Sequence, residues 1–191
     1  MSVQPRDVLE FWFDPAHAAN WFAKDPAFDE EIRRRFAAAV EDAAHGRLDA
    51  WADTPAGRLA LLILLDQFPR NLHRGEARAW AADVKAQRVA LSGLDEGFDQ
   101  ALPPLRRVFA YLPLEHAEDM GLQQRSVALF EALHAQAPAA ERARFAEFVD
   151  YARRHREVIA RFGRFPHRNA VLGRDSTAAE REYLAQPGAG F

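Results

Sequence analysis

Residues 54–74 read TPAGRLALLILLDQFPRNLHR, and this stretch decides the fold class. Thr54 followed by Pro55 is typical of a helix N-cap and its first helical position. The run Leu59–Leu65 is apolar on every side of a helix, which is typical of a central buried helix. It is far shorter than the roughly 20 residues that span a bilayer. We therefore predict a core helix that Pro69 ends, because the residue before a proline disfavours the helical conformation.

The rest of the chain carries the same helical signature. Apolar residues recur at spacings of three and four, and no segment alternates polar and apolar residues as strands do. Asp25 predicts a helix start, Gly163 a helix end, and the sequence from Thr177 to Glu180 a capping box. The sequence thus predicts an all-α fold of about seven to nine helices. We expect a single domain over residues 1–186 and a frayed C-terminal tail at 187–191.

Two more helices are predicted in the middle of the chain. The first runs from about Glu76 to Leu91, with Gly93 as its stop signal. The second follows a break at Pro113 and covers residues 115–135.

Composition narrows the classes of function. The chain has 191 residues, 49% of them hydrophobic, which is enough for one substantial core. Its formal net charge of -3 argues against nucleic acid or an anionic membrane as a partner, because such binding needs a basic surface. The absence of cysteine excludes disulfides and thiolate sites, and it fits a cytoplasmic protein. Any metal therefore needs His, Asp or Glu ligands.

The first candidate group lies at the end of the central helix. Asp66 sits where burial and the negative end of the helix dipole both oppose a carboxylate, so it needs a cationic partner. Arg70, four residues on, is the local candidate, and Asn71 lies beside it. The alternative is a structural ion pair that locks the helix exit.

The second candidate group is the acidic segment YLPLEHAED. His116 and Asp119 are three residues apart, and Glu115 and Asp119 are four apart, so either pair shares a helix face. Such pairs can act as acid and base, and Glu118 with His116 and Asp119 offers ligands for a divalent metal. The alternative is that acids in a first helical turn simply complement the helix dipole. His155 lies on the apolar stripe of a later helix, as a core histidine or, if it faces this segment, as a proton shuttle.

The third candidate group is FGRFPHRNAVLGRDST, which repeats the Phe-Pro turn of residues 68–69. Its arginines precede the helix that begins at Thr177, and guanidinium groups beside free helix amides suit a phosphate or carboxylate. The alternative is that these arginines only neutralise nearby helix ends. The polar members of this turn are Arg164, His167, Arg168, Asn169 and Arg174.

Four ordered motifs carry a family resemblance. VLEFWF, LLDQFPRNLHR, YLPLEHAED and FGRFPHRNAVLGRDST with EREYL resemble the successive motifs of the bacterial domain-of-unknown-function family numbered 924. The resemblance covers about residues 5–186. It implies an all-helical, tetratricopeptide-like fold and a bacterial source, and it implies no activity.

Our leading hypothesis is a small-molecule site that binds an anionic ligand through Arg70, Arg168 and Arg174. Glu115 or His116 then serves as general base, with Asp66 or Asp119 orienting it or an arginine. The rivals are a helical module that holds a peptide or protein partner in a groove, and a purely structural polar network. The sequence identifies no cofactor and leaves open whether the protein is an enzyme. The catalytic candidates are Glu115, His116 and Asp119. The ligand-binding candidates are Asp66, Arg70, Asn71, Arg164, His167, Arg168, Asn169 and Arg174.

Overall fold

The computed structural model describes residues 2–190, and all of the regular structure within that range is helical. Nine α-helices occur there, joined by short 3-10 turns, so the all-α prediction is confirmed. The tetratricopeptide-like arrangement stays a prediction. The α-helices are α1 (Pro5–Trp12), α2 (Pro26–Ala44), α3 (Pro55–Leu62), α4 (Phe68–Leu72), α5 (Asp83–Asp95), α6 (Pro104–Glu115), α7 (Met120–Gln136), α8 (Arg142–Phe162) and α9 (Ala178–Leu184).

The chain divides into two compact units, Met1–Pro113 and Leu114–Phe191, and the division falls within α6. The extent of the single domain predicted from the sequence therefore stays a prediction. Of the predicted tail, residues 187–190 are described, and Phe191 lies outside the described residues. The N–H of Gly190 donates to the Tyr183 hydroxyl at 3.4 Å.

The first unit is built around α3, as its apolar run predicts. Residues 59–65 are all fully buried. The helix begins as predicted, with the Thr54 hydroxyl accepting the Gly57 N–H at 3.1 Å. A shell of aromatic rings surrounds it: Phe68 lies 5.5 Å from Trp12 and 5.1 Å from Phe36 between ring centroids. Removing this much aromatic and aliphatic surface from water is the main stabilising contribution in the unit.

The predicted helix end at Pro69 is wrong. The helical path continues from α3 through a π-helical turn, Ile63–Gln67, into α4. Phe68, directly before the proline, keeps helical backbone angles (φ -60, ψ -37) because its ring is completely buried in the aromatic shell. Pro69 occupies the first turn of α4, where the missing N–H costs little. Tertiary packing therefore overrides the local preference of the residue before proline.

Both predicted ends of the next helix are also wrong. Helix α5 begins at Asp83 and not at about Glu76, and it runs through Gly93 to Asp95. The chain turns at Gly97, whose φ of 74° is left-handed. Glycine is needed at position 93 because a Cβ there would lie 2.5 Å from an Arg58 guanidinium nitrogen.

The predicted break at Pro113 is wrong as well. Helix α6 runs through this proline to Glu115, and α7 begins only at Met120 and not at residue 115.

The second unit is centred on α7 and α8, which pack along each other. As predicted, α8 ends at Gly163 with a φ of 70°, and Thr177 and Glu180 form a capping box on α9. Val158 and Ile159 of α8 pack with Phe165 to form a core cluster under the second Phe-Pro turn. Within residues 2–190, no helix is both long and apolar enough to cross a bilayer.

Candidate functional site

Arg70 finds its partners inside the first unit. Its two terminal nitrogens each donate to one oxygen of the Asp83 carboxylate at 3.0 Å, and Nη1 lies 3.3 Å from Asp66 Oδ1. Burial lowers the pKa of Arg70, but the nearby Asp66 and Asp83 charges outweigh it, so the pKa is raised overall. The guanidinium fork is therefore directed at a carboxylate of the protein itself, in the bidentate geometry that arginine favours.

The other members of the first turn are also held by side chains of this unit. The Gln67 amide donates to Asp66 Oδ2 at 2.5 Å, and the Asn71 amide donates to Asp29 Oδ1 at 2.7 Å. Asp66 and Asn71 are both buried. This arrangement matches the structural ion-pair alternative for the first turn. Whether the two Phe-Pro turns form one shared site stays a prediction.

The acidic residues lie at the end of α6 and in the loop between α6 and α7, and not in a first helical turn. Asp119 is the N-cap of α7, and its carboxylate accepts the Leu122 N–H at 2.8 Å. Glu118 accepts two hydrogen bonds from the Arg174 guanidinium, at 2.6 and 2.9 Å, and a third from the Phe165 N–H at 2.8 Å. These bonds outweigh burial and lower the pKa of Glu118. The segment therefore supports both α7 and the second turn.

Two arginines of the second turn are paired with carboxylates in the same way. Besides Arg174 with Glu118, Arg164 donates to both oxygens of Glu180, at 2.7 and 2.9 Å. The Arg164 hydrogen bond and the Thr177 N–H lower the pKa of Glu180 to about 2. The capping box thus satisfies the N–H groups of Thr177 and Glu180, and the anion site predicted at the start of α9 stays a prediction.

Arg168 lies between these two arginines in the chain. It is buried, its guanidinium carbon lies 4.5 Å from the centre of the Phe165 ring, and Nη2 donates to the His116 carbonyl at 3.1 Å. The His167 ring lies 5.7 Å from the same Phe165 ring. The Asn169 side chain holds the turn closed, with its carbonyl accepting from Arg174 at 3.0 Å. Phe165 therefore organises the cationic side chains of the second turn by stacking.

A buried carboxylate–histidine pair lies beside this turn. His155 Nδ1 is 2.9 Å from the Tyr151 carbonyl and 3.2 Å from Glu115 Oε1, and both side chains of the pair are buried. Because two acceptors face Nδ1, this nitrogen carries the proton. Burial, followed by the nearby His116, holds the pKa of His155 far below its ordinary range, and Arg168 and His167 act in the same direction. His155 is therefore neutral near pH 7.

The pairing of His155 with Glu115 was not predicted, because the sequence indicated only a core histidine or a proton shuttle. No spacing rule connects two residues 40 positions apart in the chain. Gln123 was not predicted either. It is fully buried, and its amide donates to the carbonyls of Glu115 and Ala117 at 2.6 and 2.8 Å. These two bonds fix the end of α6 and the loop that follows it.

The acidic segment does not assemble a metal centre. Within residues 2–190, no group of three or more His, Asp or Glu side chains is placed to hold a metal ion. Of the three ligands considered, Glu118 is bound by Arg174 and Asp119 by the first turn of α7. Metal binding by this segment therefore has no geometric support.

The fold and these contacts define a class: an all-α protein whose second unit surrounds a buried Glu–His pair with cationic side chains. The chain matches a family model described as "Bacterial protein of unknown function (DUF924)" over residues 8–188, and it belongs to this family. The resemblance found in the four motifs is thereby confirmed. A solved structure of a protein of unknown function, ATU0120 from Agrobacterium tumefaciens, is 41% identical, with 95% of this chain and 96% of that chain covered and a TM-score of 0.85. None of the curated proteins compared matches the chain.

Proposed function

We propose that the second unit binds a small anionic molecule, bearing a phosphate or carboxylate, at the cluster of Glu115, His116, His155, His167 and Arg168. One observation carries the proposal: the His155 and His167 rings and the Arg168 guanidinium carbon lie 5.6, 5.7 and 4.5 Å from the centre of one Phe165 ring. Arg168 carries a permanent positive charge, and a histidine ring can gain one, so the cluster favours an anion. The proposed site does not include Arg70, Arg164 or Arg174. Their guanidinium groups form ion pairs with Asp83, Glu180 and Glu118.

The roles within the cluster follow from burial and pKa. His155 is a poor general base, because its depressed pKa removes the driving force for taking a proton. Its ring centroid lies 6.1 Å from that of His116, which is half-buried and therefore closer to solvent. In the proposed site His116 handles the proton, Arg168 holds the anion, and Glu115 with His155 orients the cluster. Asp119 contributes by capping α7.

We propose that the protein acts in the cytoplasm, since a chain without cysteine forms no disulfide for an oxidising compartment to maintain.

A thermal-shift assay with a panel of phosphorylated and carboxylated metabolites tests whether the cluster binds such a ligand. A true ligand at 100 times its Kd adds about 2.7 kcal/mol to the free energy of unfolding. For a chain of this length that corresponds to about 5–10 °C in Tm.

Variants locate the site. His116→Gln and Arg168→Gln should each reduce the ligand-induced shift by at least half, whereas His134→Gln, in the last turn of α7 and away from the cluster, should leave it unchanged. Sodium chloride at equal ionic strength controls for screening. The proposal fails if no metabolite raises the Tm of the wild type above the salt control. It also fails if His116→Gln responds as the wild type does. Either result favours a structural role for the cluster.

A further inference from the structure

None of the five cluster residues lines the second feature of this unit. A cavity of about 310 Å³ opens between α8 and the C-terminal segment 186–189. Its volume falls at the lower end of the range for small-molecule pockets. Phe162 and Tyr183 form one wall, and Glu157 and Arg161 lie among the other lining residues.

The aromatic wall is held in place. The Phe162 and Tyr183 ring centroids are 5.2 Å apart at an angle of 48°, and both rings pack on the core cluster that contains Val158 and Phe165. The Tyr183 hydroxyl also accepts the Gly190 N–H, which ties the C-terminal segment to the wall. A wall of fixed aromatic rings favours a planar apolar group in the ligand.

Three charged residues line the cavity, Arg154, Glu157 and Arg161, and the last two do not pair with each other. Glu157 and Arg161 are four residues apart on α8 in the order that favours an ion pair. Among the described residues, however, neither side chain makes an ion pair or a hydrogen bond. Arg161 instead lies over the ring of its neighbour Phe162, 4.7 Å from the ring centre. A carboxylate and a guanidinium, one helical turn apart, are therefore both available at the cavity.

We propose that this cavity binds a zwitterionic amino acid with an aromatic side chain. The ring lies against Phe162 and Tyr183, the ligand carboxylate bonds to the Arg161 guanidinium, and the ligand ammonium bonds to the Glu157 carboxylate. Opposite charges on neighbouring turns match a dipolar ligand better than a simple anion, which would face Glu157, or a simple cation, which would face Arg154 and Arg161. The inference is independent of the anion site proposed above.

Four ligands dissect the three contacts by isothermal titration. L-Phenylalanine carries all three groups, 3-phenylpropanoate lacks the ammonium, phenethylamine lacks the carboxylate, and L-alanine lacks the ring. The wild type should bind L-phenylalanine at least tenfold more tightly than each of the other three, since one charge-assisted hydrogen bond is worth about tenfold or more.

Two variants assign the charges. Arg161→Gln should weaken L-phenylalanine and 3-phenylpropanoate about tenfold and leave phenethylamine unchanged, and Glu157→Gln should show the reverse pattern. Arg142→Gln and Glu147→Gln, at exposed positions of α8 that do not line the cavity, are the matched controls. The proposal is overturned if L-phenylalanine gives no heat at millimolar concentration. It is equally overturned if L-alanine binds as tightly, or if Arg161→Gln matches Arg142→Gln.

Discussion

The buried histidine makes a quantitative prediction about the pH dependence of stability. Burial and neighbouring cations lower the pKa of His155 in the folded protein, whereas in the unfolded chain it returns to about 6.5. Below that pH the unfolded state therefore binds one proton more than the folded state, and stability falls as the pH falls. Below the unfolded-state pKa, the free energy of unfolding falls by about 1.36 kcal/mol per pH unit for one proton. His155 should therefore lower the free energy of unfolding by about 2 kcal/mol between pH 8 and pH 5.

Urea unfolding at pH 8, 7, 6 and 5, followed by far-UV circular dichroism, measures this loss. His155→Gln keeps an amide donor for the Tyr151 carbonyl but cannot titrate, so its stability should fall by about 2 kcal/mol less than that of the wild type over the same range. His73 also has a lowered pKa, caused mainly by burial, so His73→Gln measures the contribution of that site separately. The lowered pKa values of Glu118 and Glu180 act mainly below this window.

Equal pH slopes for the wild type and His155→Gln would refute the argument, because they would mean that His155 takes up its proton in the folded state. A lower stability of His155→Gln at pH 8 would reflect lost packing, which does not change how steeply stability falls with pH.

Three further predictions concern stability and are read from urea midpoints. Asp83→Ala should cost about 3 kcal/mol, because it removes both bonds to the largely buried Arg70, and a loss below 1 kcal/mol would contradict the burial argument. Gly93→Ala should destabilise by about 1–3 kcal/mol despite the better helix propensity of alanine, since its Cβ clashes with Arg58, and a stabilised variant would show that Arg58 moves aside. Thr177→Ala should cost about 1 kcal/mol through loss of the helix cap, and an unchanged midpoint would show that the cap contributes nothing.

Local chemistry made most of the fold predictable. Thr54, Asp25 and Thr177 each cap a helix as the sequence indicates, because a side-chain oxygen satisfies backbone N–H groups within three residues. Gly163 ends α8 because it can adopt a left-handed conformation. These signals depend on neighbouring residues only, so they can be recognised without knowledge of the tertiary structure.

The wrong predictions share a physical cause, which is contact between distant residues. Gly93 was predicted to stop a helix, but glycine is needed there because Arg58, 35 positions away, leaves no room for a Cβ. Pro69 looked like a helix end, but burial of Phe68 and a π-helical turn carry the helical path past it. The pairing of Glu115 with His155 is of the same kind. Sequence spacing indicates which residues can share a helix face, and it does not indicate which faces meet.

A substitution at Arg168 can distinguish a ligand-binding role of the second turn from a structural one. Arg164 and Arg174 each direct a guanidinium fork at one carboxylate, and removal of either leaves that carboxylate without its cation, so a loss of stability there is uninformative about ligands. Arg168 stacks on Phe165 and donates to the His116 backbone carbonyl. A lysine at this position keeps the positive charge but loses the planar stacking and the forked donors. Arg168→Lys should therefore lose stability if packing is its main role, whereas a retained Tm with a lost anion response would indicate that the guanidinium serves a ligand.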